Sequence, residues 1–176
     1  MNNAHRLAPL NMDGASFRDL GHDLVDRIAD FLDGISASPV TTGDSPEEVR
    51  TLIRADAPMP REGRDAAELL AESSGWIFDR SLHNGHPRFM GYITSSAAPI
   101  GMLGDMLAAA VNPNVGAWTL SPVATEIEAQ TVRWIAELLR YPTDAGGLMV
   151  SGGNMANMAC FWAARVAVGG QSMRAT

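Results

Sequence analysis

The sequence has 176 residues, a formal net charge of −7 and a single cysteine, and 46% of its residues are hydrophobic. This length suits one domain, or one domain with an appendage, while the acidic balance argues against a nucleic-acid surface and one cysteine excludes an internal disulfide framework. Because we find no signal peptide and no membrane-spanning run, we expect a soluble, cytoplasmic protein with no nucleic-acid or membrane partner.

The first half of the chain has the patterns of three helices. Apolar residues recur at spacings of three and four between Ser16 and Gly34, which predicts an amphipathic helix capped by Ser16 together with Asp19. A capping-box pattern at Ser45 starts a short second helix, and a looser pattern predicts a third over residues 65–82. So short a chain has little to cover the apolar stripe of the first helix, which predicts a face for a partner.

The second half of the chain has further helical patterns. After a break at residues 83–87, residues 88–96 are aromatic and β-branched enough to be extended. Residues 97–111 predict a helix in which glycine and alanine allow close backbone approach. Ser121 followed by proline predicts a cap and the start of another helix. Two acidic residues favour the positive end of its dipole: Glu126 and Glu128.

The most informative segment is a short apolar run that leads through two glycines into a helix. Residues 148–150 predict a buried strand. Gly152 and Gly153 let a ligand approach the backbone, and the first turn of the helix directs unpaired amides at an anion, most naturally a phosphate. Asn154 and Ser151 add polar groups. The alternative is a structural turn whose glycines only permit tight packing. The spacing fits neither a P-loop nor a dinucleotide fingerprint.

Four segments carry motifs that occur together in one enzyme family. Ser-Gly-Gly-Asn-Met-Ala-Asn-Met at residues 151–158, followed by Ala-Ala-Arg at 163–165, is similar to the family's phosphate-holding turn. His-Pro-Arg-Phe at 86–89 and Met-Leu-Gly-Asp-Met-Leu at 102–107 are similar to two upstream family segments. Ser-Pro-Val-Ala-Thr-Glu-Ile-Glu at 121–128 is similar to a third. All occur in the family's order, so the chain resembles the pyridoxal-phosphate-dependent group II amino-acid decarboxylases. These are the relatives of aromatic-L-amino-acid and glutamate decarboxylases.

The resemblance implies pyridoxal 5'-phosphate as the cofactor and assigns residues to it. The backbone amides of Gly152 and Gly153, with the side chain of Asn154, are implied to hold the phosphate, although asparagine replaces the family's usual serine. The loop rich in hydroxyl groups is implied to place Ser95 near the coenzyme. Two neighbours are implied to lie beside the substrate: Tyr92 and Thr94. The alternative is that these hydroxyl groups are ordinary loop caps.

The resemblance also implies a fold and a division into domains. The fold is the α/β fold of the fold-type-I coenzyme-dependent transferases, here truncated and mostly helical. Residues 1–85 are implied to form a helical N-terminal extension that wraps a second subunit. Residues 86–176 are implied to form an incomplete start of the coenzyme-binding large domain, with its first strand, turn and helix. A homodimer and an amino-acid substrate follow from the same resemblance.

The chain departs from the family because all 13 of its basic residues are arginine. Coenzyme chemistry of this kind needs a lysine to hold the aldehyde and a carboxylate to pair with the ring nitrogen. In relatives these groups lie downstream of the glycine turn. We therefore expect a fragment of a decarboxylase that releases CO₂ from an amino acid to give an amine. Alone it is expected to be inactive, with no catalytic residue and no covalent coenzyme. The alternatives are a non-catalytic helical dimerisation module and a fragment of another fold-type-I enzyme, such as an aminotransferase.

Two other residue types, histidine and cysteine, could carry chemistry. His83 and His86 lie three residues apart, but no cysteine or acid stands beside them at ligand spacing, so no metal site is predicted. His22 is expected to be solvated on the polar side of the first helix. Cys160 is expected to be a small core residue and not a nucleophile.

Overall fold

Residues 11–169 are described by a computed structural model of the protein, and within that range the chain forms six α-helices and no strand. The chain divides into two compact units, with the division between Pro99 and Ile100. The first unit contains three helices, and the second contains three, of which the first begins at the division. The helices are α1 Gly14–Gly34, α2 Pro46–Leu52, α3 Ala66–Arg80, α4 Pro99–Val111, α5 Pro122–Leu138 and α6 Gly153–Gly169.

Helix α1 begins two residues earlier than its pattern predicted, and the predicted cap at Ser16 is wrong. The carboxylate of Asp13 accepts hydrogen bonds from the amides of Ala15 and Ser16, at 2.9 and 2.8 Å. These two bonds hold the pKa of the Asp13 carboxyl below its ordinary value, and the bond from Ser16 has the larger effect. Ser16 therefore donates its backbone amide to the cap and lies inside the helix. Asp13 itself has extended backbone angles, as an N-cap residue requires.

The starts of α2 and α3 confirm the predicted helices. Ser45 accepts from the amide of Glu48 at 3.3 Å, and Glu48 accepts from the amide of Ser45 at 2.7 Å, which completes the capping box. The bond from the Ser45 amide lowers the pKa of the Glu48 carboxyl. Asp65 caps α3 by accepting from the amides of Ala67 and Glu68.

Helices α1 and α3 pack together through aromatic rings. Phe31 and Phe78 stack with their ring centroids 4.8 Å apart. Leu24 and Ile28 are half-buried on the same helix, whereas Phe17 near its start is 60% exposed. The chain was expected to have little to cover the α1 stripe, and this expectation is wrong for the C-terminal half of the helix, which α3 covers.

The second unit corrects two predictions about its local structure. Helix α5 begins after Ser121 as predicted, but the Ser121 side chain makes no capping hydrogen bond. Residues 148–150 form no strand, and Leu148 and Met149 are exposed. A strand gains its hydrogen bonds from neighbouring strands, and the described residues contain none. In the first unit, the segment at 88–96, which was predicted to be extended, forms no strand and contains a turn at residues 92–93, where Tyr92 has a φ of 60°.

Side-chain burial is low throughout the described part of the chain. No apolar side chain there is fully buried, and the buried residues are polar: Ser74, His83 and His86. Cys160 is exposed, so its predicted place in a core is wrong, whereas His22 is exposed as predicted. No helix within residues 11–169 combines the length and the hydropathy that crossing a membrane requires.

Candidate functional site

The glycine turn before α6 has the backbone geometry that its sequence predicted. Gly152 has a φ of +142°, a conformation that L side chains rarely adopt. The amide of Ala156 donates to the carbonyl oxygen of Gly152 at 3.0 Å, so Gly152 is the residue before the first turn. The amides of Gly153, Asn154 and Met155 therefore have no partner inside the helix. Three backbone donors are thus available at one helix end.

The groups around this turn are hydrogen-bond donors that are exposed to solvent. Residues 151–155 are exposed, and a Cβ added at Gly152 or Gly153 would meet no atom within 4 Å. Close packing therefore does not require glycine at either position in the described part of the chain. The first turn of α6 holds no acidic side chain. Amides, a side-chain amide at Asn154 and a hydroxyl at Ser151 fit the oxygens of a phosphate.

The segment that enters the glycine turn is attached to α5. The amide of Met149 donates to Oε1 of Glu128 at 2.8 Å. A Cβ added at Gly147 would lie 2.6 Å from Cγ1 of Val132, so the backbone passes close to the helix there. The sequence pattern did not reveal this contact, because it assigned Glu128 to the helix dipole. Helix α5 has no acidic residue in its first turn.

The hydroxyl-bearing loop lies in the first unit. Tyr92, Thr94 and Ser95 are exposed, and their hydroxyl groups make no hydrogen bond within the described residues. Their alternative role as loop caps therefore finds no support. Within this loop the backbone at Gly91 packs against the ring of Phe89, from which an added Cβ would lie 3.1 Å away. The glycine turn belongs to the second unit. Tyr92, Thr94 and Ser95 therefore lie together in the first unit, and the predicted phosphate-binding residues lie together in the second.

Two buried histidines anchor the start of this loop. Nε2 of His86 lies 3.0 Å from the carbonyl oxygen of Ser38, and Nδ1 accepts from the amide of Arg88 at 3.0 Å. Nε2 of His83 lies 2.8 Å from the carbonyl oxygen of Phe78. Each ring therefore binds main-chain groups. The sequence does not reveal this role, because the partners of both rings are main-chain atoms that no side-chain spacing indicates.

The sequence profile of the pyridoxal-dependent decarboxylase conserved domain matches residues 46–175 of the chain. The match includes the buried histidines, the hydroxyl-bearing loop, α5 and the glycine turn. The chain belongs to this family, which confirms the family that the sequence motifs resembled.

Individual relatives agree with this family. An aromatic-L-amino-acid decarboxylase of Bacillus atrophaeus is 31% identical over 158 residues, which cover 90% of this chain and 32% of the relative. A tyrosine decarboxylase of Oryza sativa subsp. japonica is 34% identical over 154 residues, which cover 86% of this chain and 28% of the relative. The crystal structure of Oryza sativa TDC with PLP and tryptamine has a TM-score of 0.67 at 27% identity, and the match covers 78% of this chain and 27% of that one. The chain spans about a third of the length of the curated relatives that it matches.

Proposed function

We propose that this chain supplies the phosphate-binding turn of a pyridoxal-phosphate-dependent amino-acid decarboxylase of fold type I. The observation that carries the proposal is the set of unpaired amides at Gly153, Asn154 and Met155, within a segment that the family profile matches. Gly152 provides the backbone conformation, and the Asn154 side chain adds a donor. When bound, the coenzyme supplies an electron sink for the bond that breaks at the departing carboxylate.

The substrate is proposed to be an amino acid, with the aromatic L-amino acids as the first class to test. The support is the names of relatives, which include aromatic-L-amino-acid and tyrosine decarboxylases. Ser95 is proposed to lie near the coenzyme, and Tyr92 and Thr94 beside the substrate. Their exposed hydroxyl groups have no partner in the described part of the chain and are available to a ligand.

We further propose that residues 1–85 are a helical extension that contacts a second subunit and that residues 86–176 begin the coenzyme-binding domain. Because this sequence has no lysine, the coenzyme is held here by non-covalent contacts alone. The chain by itself is proposed to be inactive, since no side chain in it can hold the coenzyme aldehyde as an amine does.

Equilibrium dialysis of the 176-residue chain tests the coenzyme site. We expect pyridoxal 5'-phosphate to bind at least about tenfold more tightly than pyridoxal, because only the former has the phosphate for which amide donors are available. Gly152→Ala should weaken binding, since its φ of +142° strains any other residue. Gly146→Ala is the matched control, because a Cβ there meets nothing within 4 Å.

Two outcomes would contradict this assignment. Equal affinity for pyridoxal and its phosphate would exclude the turn as a phosphate site. Release of CO₂ from an aromatic amino acid by the purified chain would contradict its proposed inactivity. Borohydride reduction adds a separate measurement: mass spectrometry of tryptic peptides should find no modified internal residue, because the terminal amine is the one primary amine in a sequence without lysine.

A second candidate function is a non-catalytic helical module that associates with itself or with a longer subunit. The observation that favours it is the exposure of apolar side chains along α4, where Ile100 and Leu107 are 78% and 67% exposed. Soluble proteins seldom leave a contiguous apolar face uncovered. This candidate predicts a homodimer that binds no coenzyme, whereas an aminotransferase-like parent would keep the same phosphate turn and change only the reaction.

A further inference from the structure

Two side chains of α5 hold the segment that leads into the glycine turn. Glu128 and Val132 are four residues apart, so they lie on the same face of the helix, one turn from each other. Both are half-buried. Oε1 of Glu128 accepts from the amide of Met149 at 2.8 Å. Val132 contacts the backbone at Gly147, where a Cβ would lie 2.6 Å from its Cγ1.

These two contacts fix a segment that lacks other support. The backbone at Gly147 passes against Val132, and two residues later the Met149 amide bonds to Glu128. In the described part of the chain, no other backbone amide from Gly146 to Gly152 makes a hydrogen bond. A hydrogen bond to an ionised carboxylate is stronger than one between neutral groups. The bond from Met149 to Glu128 is therefore the main polar restraint on the approach to Gly152.

We propose that Glu128 is a positioning residue for the phosphate-binding turn, acting through the amide of Met149. The inference rests on the proposed function, because it assigns to Glu128 the placing of the amides that would bind phosphate. Met149 lies only three positions before Gly152, so a shift of the Met149 backbone moves the start of α6. The clearance at Gly147 adds to this restraint, because a backbone so close to Val132 has little room to slide along α5.

The chain offers a matched control in Glu126. Its carboxylate also accepts a hydrogen bond at 2.8 Å, but from Nε1 of Trp118, and within the described residues it makes no hydrogen bond to residues 147–149. Glu126→Ala therefore removes a similar charge from the same helix without releasing the segment. Glu128→Gln keeps an oxygen acceptor in the same position, whereas Glu128→Ala removes it.

The experiment combines amide hydrogen exchange with coenzyme dialysis on the full chain. In Glu128→Ala we expect exchange at the Met149 amide to accelerate about tenfold, because the lost bond is charge-assisted. The amide resonances of Gly153 and Asn154 should move, and affinity for pyridoxal 5'-phosphate should fall about tenfold. Glu128→Gln should restore both to within about threefold, since a neutral acceptor keeps most of the bond. Glu126→Ala should leave both unchanged, with the helix content of all variants equal by circular dichroism.

The outcomes separate this inference from the function on which it rests. If Glu128→Ala changes neither the Met149 exchange rate nor the amide resonances of the turn, the positioning role is overturned. It is also overturned if those resonances move while coenzyme affinity stays constant. If the unmodified chain binds no pyridoxal 5'-phosphate, the proposed function fails, and the resonances of Gly153 and Asn154 still decide whether Glu128 positions the turn.

Discussion

The ring of His86 connects main-chain groups that are far apart in the sequence. Nε2 binds the carbonyl oxygen of Ser38, 48 residues earlier, and Nδ1 accepts from the amide of Arg88. Because an amide can only donate, Nδ1 carries no proton and the proton lies on Nε2. The ring is 2% exposed. A neutral histidine of this one tautomer thus joins the segment after α1 to the start of the hydroxyl-bearing loop.

Replacing His86 should destabilise the first unit. His86→Ala removes a ring that is 2% exposed, together with its bonds to the carbonyl oxygen of Ser38 and the amide of Arg88, which costs about 3 kcal/mol in the free energy of unfolding. The measurement is thermal unfolding followed by circular dichroism at one pH. His22→Ala is the control, because His22 is exposed on α1 and its loss should change the midpoint little. Equal unfolding midpoints for the two variants would show that the hydrogen bonds of the His86 ring do not stabilise the first unit.

At the scale of elements, local chemistry predicted where helices occur better than which residue caps them. The capping box at Ser45 needs only residues three apart, so the sequence contains the whole motif. At α1 the sequence offers both Asp13 and Ser16, and either side chain can accept amide bonds. The structure selects Asp13. At α5, Ser121 has backbone angles of −151° and 73°, and its hydroxyl caps nothing.

The cap of α1 predicts a dependence on pH. Hydrogen bonds from Ser16 and Ala15 lower the pKa of Asp13 in the folded chain. Because this pKa is depressed, the cap contributes its stability above the unfolded value of about 3.9. That contribution is lost as the pH falls through the lower folded value. Proton resonances of the Ser16 amide, followed from about pH 6 downwards, should therefore shift only below about pH 4.

Two variants separate this cap from the one that the sequence predicted. Asp13→Ala should reduce order in the first turn of α1, whereas Asp13→Asn retains an acceptor and should keep most of it. Asp19→Ala tests the predicted pairing of Ser16 with Asp19 and should leave the first turn unchanged. Amide exchange at Ala15 and Ser16 measures the difference. Faster exchange in Asp19→Ala than in Asp13→Ala would favour the sequence-based cap over the structure.

At the scale of the whole molecule, the sequence predicted the parts of the candidate site but not their support. The turn at Gly152 is local, since glycine spacing and a helix start define it. The bond between Glu128 and Met149 joins residues 21 apart in sequence, and the same acid could equally have served its own helix. Residues 148–150 have an apolar pattern typical of a strand, but strand formation depends on partners elsewhere in a chain. Such non-local contacts are what the pattern of a single segment does not contain.

The exposed apolar residues of the second unit predict self-association. Ile100, Leu103 and Leu107 lie on α4 and are more than half exposed. Burying one leucine contributes about 2 kcal/mol, and a carboxylate in its place would be costly to bury. Leu107→Asp should therefore weaken association at least about tenfold. Light scattering on fractions from size-exclusion chromatography measures the mass. At the same concentration, we expect the mass of a dimer for the unmodified chain and that of a monomer for Leu107→Asp.

A matched control for this variant comes from an apolar residue outside any helix. Met59 is 88% exposed in the segment between α2 and α3, and Met59→Asp adds the same charge. If association uses α4, Met59→Asp should keep the mass of the unmodified chain. Equal loss of mass in both variants would mean that added charge, and not the α4 face, controls association. A monomeric unmodified chain would contradict the dimer outright, and with it the candidate association module.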